Sequence, residues 1–109
     1  MKRQFVETDI FSKRWKELNL DDDDLLKLQW HLAEYPDAGK VISGTNGARK
    51  IRFALPHKGK SGGARVIYVD VLHHKRIYLL LCYAKAKQEN LTGEQKQLLS
   101  SLIKTIKEG

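Results

Sequence analysis

At about Ala48 the spacing of apolar residues changes from that of a helix to that of a strand. Before it, Ile10, Phe11, Trp15 and Leu18 fall on one helical face behind Thr8, a residue suited to an N-cap. A second helix follows the aspartates at 21–24, whose carboxylates suit a helix N-terminus, and Leu25, Leu28, Leu32 and Tyr35 recur at helical spacing until Pro36. Four consecutive aspartates point in different directions on a helix, so capping is a better use for them than a cation site. After Ala48, Ile51, Phe53 and Leu55 alternate with Lys50, Arg52 and Ala54. Further strands are predicted from about Ala64 to Leu72 and from Arg76 to Ala84, joined by a tight turn at 73–75. Residues 2–7 read as a short edge strand. Thr92 with Gln95 opens a last helix through a capping box, and that helix should bury Leu98, Leu99, Leu102, Ile103 and Ile106. The order β-α-α-β-β-β-α predicts one α+β domain over residues 1–109, with a twisted, mostly antiparallel sheet and helices packed on one face. The other face would be a working surface.

The charge lies where that surface would be. Between Asp37 and Asp70 the chain has no acidic residue, yet it carries Lys40, Arg49, Lys50, Arg52, Lys58, Lys60 and Arg65. Elsewhere basic and acidic residues balance, so this stretch supplies the whole net charge of +7. A field so concentrated implies a polyanionic partner; the plainer alternative is a solubility charge on a hairpin.

Within this segment "GKS" at 59–61 has the ending of a phosphate-binding P-loop. The pattern requires a glycine at 54 and a helix at the Lys-Ser end. Residue 54 is Ala54, and the run after Gly62-Gly63 is Val66-Ile67-Tyr68-Val69, which reads as a strand. The nucleotide reading fails on both points. What remains is a glycine loop with approachable backbone N–H groups. Lys58 and Lys60 would point to one side, with Arg65 just beyond. Tyr83 and Lys85 share a face at the end of the neighbouring strand. Singly, each lysine suits a solvated surface; together they favour contact with phosphate.

Such a cluster could also do chemistry. RNA carries its own nucleophile, the 2′-OH, so cleavage needs a base, an acid for the leaving 5′-oxygen and positive charge on the phosphorane. Crowding by other cations lowers a lysine's pKa and makes it a plausible base. No Asp or Glu accompanies the group in sequence, which argues against a magnesium-dependent nuclease; no metal and no cofactor is expected. His57 adjoins Lys58 and could supply an acid or base, or sit on the rim. His73 and His74, adjacent in a turn, make a poor metal site, and His31 reads as structural. Cys82 lies in the apolar run 77–84, so a buried, inert thiol is expected. That run is too short to span a bilayer, and residues 1–11 lack the apolar core of a signal peptide, so a cytoplasmic protein is expected.

Taken in order, "GTNGARKIRFA", "KGKSGGARVIYV", "IYLLLCYAKAKQENLT" and "EQKQLL" span most of the chain. In these stretches it resembles the RelE-like toxins of bacterial type II toxin–antitoxin systems, in the RelE/ParE superfamily. It looks closest to the HigB branch that keeps RelE-type lysines. The resemblance implies a compact RelE-like, microbial-RNase-type fold. It also implies a ribosome-dependent mRNA interferase: an endoribonuclease that cuts mRNA in the ribosomal A site by metal-independent 2′-OH attack and so inhibits translation. The partners it implies are the 70S ribosome, mRNA and a HigA-like helix-turn-helix antitoxin. Lys58 and Lys60 match the family's paired lysines, one a candidate base and the other a stabiliser of the transition state. Arg65 matches the strand arginine on the scissile phosphate. Lys85 stands near a further arginine of RelE, and Tyr83 near a late, base-stacking tyrosine, although here the tyrosine precedes the cation. The acid therefore stays open between Lys85 and His57. Arg49, Lys50, Arg52 and His57 are expected to bind RNA or the ribosome. Two other readings share parts of the pattern: a ParE-like gyrase poison, which usually lacks the Lys58/Lys60/Arg65 set, and a non-catalytic nucleic-acid-binding module.

Overall fold

The computed structural model describes residues 3–55 and 63–109. Strand β1 (Gln4–Glu7) leads into helix α1 (Asp9–Glu17), then α2 (Asp22–Glu34), a two-residue strand β2 (Lys40–Val41), β3 (Arg49–Phe53), β4 (Ala64–Val71), β5 (Arg76–Ala84) and α3 (Gly93–Glu108). The sheet order is β1-β5-β4-β3-β2, with β1 parallel to β5 and every other pair antiparallel. The expected α+β class and mostly antiparallel sheet are what the chain adopts. β2 went unpredicted because two residues carry no period.

The helix starts follow their caps. Thr8 Oγ1 accepts from Phe11 N at 3.1 Å and donates to Leu80 O at 3.0 Å, so one hydroxyl both opens α1 and ties it to β5. Asp21 accepts from Asp24 N at 2.9 Å while Asp24 Oδ2 accepts from Asp21 N at 3.0 Å, a reciprocal box at the start of α2. These bonds hold the Asp21 carboxyl below its ordinary range. Thr92 and Gln95 repeat the arrangement at α3, as their spacing predicts. On α1, Phe11 and Trp15 stack 5.4 Å apart one turn from each other, and Trp15 meets Phe53 of β3 at 5.3 Å.

The helices do not all lie on one face. Phe11 and Trp15 of α1 and Leu28 and Leu32 of α2 pack with Val66, Tyr68, Ile77, Leu79 and Cys82. Leu99 and Ile103 of α3 pack with Ile67, Val69, Val71, Leu80 and Tyr83, on the opposite face. Expectation of one-sided packing is corrected at α3. The reason was visible in β4, whose apolar run at 66–69 is unbroken and buried on both faces. α3 also buries less than its apolar spacing suggests: Leu99 and Ile103 are buried, but Leu98 is 67% and Leu102 40% exposed. Among the described residues no helix is long and apolar enough to cross a membrane.

Candidate functional site

Cross-strand register sets the site. Arg52 of β3 faces Arg65 of β4, and Arg65 faces Tyr83 of β5, so the three side chains form one row across three strands. The next row on that face is Lys50, Ile67 and Leu81. Tyr83 belongs to the same core as Leu91, Leu99 and Ile103, which places the row on the α3 face. Arg65 is only 9% exposed and Tyr83 likewise, whereas Arg52 is exposed. Arg52 and Arg65 are cross-strand partners, with Arg65 Nη1 donating to Ala64 O at 3.4 Å, and two cations in one row suit an anion.

A bulge delivers Tyr83 to the row. Ile67 pairs with Leu81 but Tyr68 pairs with Leu79, so Leu80 is the extra residue in β5. Leu80 and Leu81 both turn to the α3 side, and the alternation beyond them puts Cys82 in the α1/α2 core and Tyr83 beside Arg65. The Tyr83 hydroxyl is buried and has no hydrogen-bond partner among the described residues. Burial pushes its pKa up, partly opposed by Arg65 and reinforced by Glu89, so the phenol stays protonated at neutral pH.

Gly63 fixes the start of β4. Its φ is +71°, and a Cβ there would lie 2.7 Å from Phe53 O, so a side chain is excluded on two counts. Its carbonyl accepts from Lys85 N at 3.0 Å, which joins the entrance of β4 to the exit of β5.

The other candidates are dispersed. Lys50 Nζ donates to Asn90 Oδ1 at 3.3 Å and shares the face of Arg52. Arg49, one residue earlier, belongs to the opposite face and donates to Gly39 O at 2.7 Å and Asp37 O at 3.3 Å, fastening the loop before β2. Lys85 lies one residue past β5, where strand alternation no longer sets its direction, and its Nζ is 3.8 Å from Glu89 Oε1. Lys58, Lys60 and His57 lie outside the described residues. Glu89 was missed as a neighbour of the site; its four-residue spacing from Lys85 was the available signal. Cys82 is fully buried, and burial pushes its thiol up to about 12, in keeping with an inert role. His73 and His74 lie within hydrogen-bonding distance of Lys107 O and Gly109 O, at 3.1 and 3.0 Å, at the end of α3. Among the described residues no group of three or more His, Cys, Asp or Glu side chains comes together to hold a metal ion.

A solved structure of a double arginine mutant of the E. coli toxin RelE, in its free state, is similar to this chain with a TM-score of 0.55 and 18% sequence identity. The match covers 82% of this chain and 90% of that one, and it bears on the fold alone. The family model described as "RelE toxin of RelE / RelB toxin-antitoxin system" matches residues 3–108. That span takes in every strand and helix that builds the arginine row, and the chain belongs to the RelE toxin family.

Proposed function

We propose that this toxin is a ribosome-dependent mRNA endonuclease, and that the row Arg52–Arg65–Tyr83 is the phosphate-binding end of its active site. The observation that carries the reading is the opposed arginine pair, one member almost wholly buried, ending on a buried neutral phenol. A buried guanidinium presents a fixed fork to a phosphate and gains strength as charge builds in the transition state. Lys58 and Lys60 complete this site: one takes the 2′-OH proton, and the other stabilises the phosphorane. Lys85 or His57 protonates the leaving 5′-oxygen. Lys50 and Arg52 hold the flanking backbone, and Arg49 contributes from the opposite face as a ribosome contact. The chemistry needs the RNA backbone held in line for attack, which is the ribosome's contribution; free RNA is a poor substrate. A HigA-like helix-turn-helix antitoxin neutralises the toxin, which acts in the cytoplasm.

The test is primer extension on cellular mRNA after brief induction, with Arg65→Ala as control. Cuts in register with codons, lost in the control, support the reading. Growth arrest with intact mRNA points to a gyrase-type target, and neither arrest nor cuts points to a simple binding module. Either result overturns the proposal.

A further inference from the structure

The segment between β5 and α3 crosses the sheet on the α3 face. It leaves β5 at Lys85, whose N–H is held by Gly63 O, and by Asn90 it has reached Lys50 of β3, whose Nζ donates to Asn90 Oδ1 at 3.3 Å. Leu91 then enters the core that contains Tyr83. Internal bonds pin this segment. Lys87 N and Gln88 N donate to Ala84 O at 3.1 and 3.2 Å. Gln88 Nε2 donates to Asn90 O at 3.0 Å and to Gln95 Oε1 at 2.6 Å, which joins the segment to the capping box of α3. Asn90 is thus an exposed side chain on a fixed backbone. On β3 the Lys50 row and the Arg52 row are two residues apart, about 7 Å, so Asn90 stands beside the phosphate end of the proposed site.

We propose that Asn90 determines base specificity: its amide N–H groups read the edge of a base next to the scissile phosphate. An ammonium has donors and no acceptor, so the Asn90 amide turns its oxygen to Lys50 and its NH2 away. That NH2 has no partner among the described residues. An unconstrained side-chain amide reads adenine by offering one donor and one acceptor. With its oxygen engaged by Lys50, this amide offers donors. Guanine presents two acceptors on one edge, O6 and N7, whereas adenine and cytosine place an amino group there. Guanine is therefore favoured over adenine and cytosine, with uracil, which offers O4 alone, between them. Lys50 keeps its further N–H donors for the RNA backbone. Phosphate is a weaker use of the Asn90 amide, because Lys50, Arg52 and Arg65 already supply cations in the same two rows.

This role for Asn90 rests on the mRNA-cleavage reading, so the test compares bases within that reaction. Synthetic mRNAs that differ at one A-site nucleotide are placed on 70S ribosomes, and single-turnover cleavage is followed. At one position beside the scissile bond, guanine should be cut about tenfold or more faster than adenine. Inosine, which keeps O6 and N7, should match guanine, and 7-deazaguanine, which lacks N7, should fall toward adenine. Asn90→Ala should bring the guanine-to-adenine ratio near one. Asn90→Asp puts an acceptor beside the same lysine and should turn the preference toward the amino group of cytosine or adenine. Asn90 is exposed, so both variants keep the fold. Lys50→Met should slow cleavage of every RNA and also shrink the ratio, since the amide is then free to turn. A wild-type ratio near one, or a ratio unchanged in the Asn90 variants, overturns the proposal. So does an equal loss of rate on every base in Asn90→Ala, which would make Asn90 a structural tie of its loop. If the wild-type protein cuts none of these RNAs, the cleavage reading fails and this role with it, whereas cleavage with an unaltered preference defeats the role of Asn90 alone.

Discussion

Replacing Tyr83 by Phe should make the protein more stable and a poorer enzyme. The Tyr83 ring is buried in the α3-side core, and its hydroxyl is buried with no hydrogen-bond partner among the described residues. Leaving a buried polar group unpaired costs about 1–3 kcal/mol. Phe keeps the ring and its packing and removes only that unpaired oxygen, so a gain of about 1 kcal/mol is expected, a rise of roughly 4 °C in Tm. Tyr83→Ala removes the ring as well and should cost about 3 kcal/mol or more. In the proposed site the hydroxyl's donor is meant for RNA, so the Phe variant should lower single-turnover cleavage while it raises stability. Urea denaturation, read as midpoint and slope, measures the stability change, and ribosome-bound mRNA measures the rate. A loss of stability above 1 kcal/mol in Tyr83→Phe would show that the hydroxyl is a structural bond, and the reasoning would fail.

Cys82 should make stability fall in alkali: burial pushes its thiol up to about 12, from 9.0 for an exposed cysteine. The unfolded chain releases this proton first, so the contribution is fully present below pH 9 and is lost as pH rises toward 12, on the order of a few kcal/mol in all. Denaturation at pH 8 and pH 10.5 should show this slope in the wild type and a shallower one in Cys82→Ala, and equal slopes would refute it. Gly63→Ala forces a side chain into φ +71° and onto Phe53 O, and should cost about 1–3 kcal/mol in the same assay. A neutral result would mean that the entrance of β4 is not held as described.

Much of this arrangement is written locally in the chain. The aspartates at 21–24 and the Thr92–Gln95 pair each specify a helix start by themselves, because a capping box needs only residues three apart. Arg65 and Tyr83 were identified as candidates without any knowledge of their register. Their alignment was not legible, since it depends on an extra residue hidden in Leu79-Leu80-Leu81, where any of three leucines could be the bulge. The placement of α3 was partly legible: an unbroken apolar run in β4 calls for cover on both faces. Arg49 could also have been separated from Lys50 in advance, since neighbours on a strand point to opposite faces. The exposure of Leu98 and Leu102 could not, because helical spacing gives an apolar face but not what covers it.

The central claim is that this toxin cuts RNA through the RNA's own 2′-hydroxyl. The direct measurement places an end-labelled mRNA in the A site of a 70S ribosome, with a single 2′-deoxy substitution at the scissile nucleotide in a parallel sample. Attack by the 2′-oxygen breaks the bond to the 5′-oxygen, so the unmodified RNA should yield a 2′,3′-cyclic phosphate and a 5′-hydroxyl, and the deoxy RNA should stay intact. Cleavage of the deoxy RNA, or products ending in a 3′-hydroxyl and a 5′-phosphate, would contradict the account.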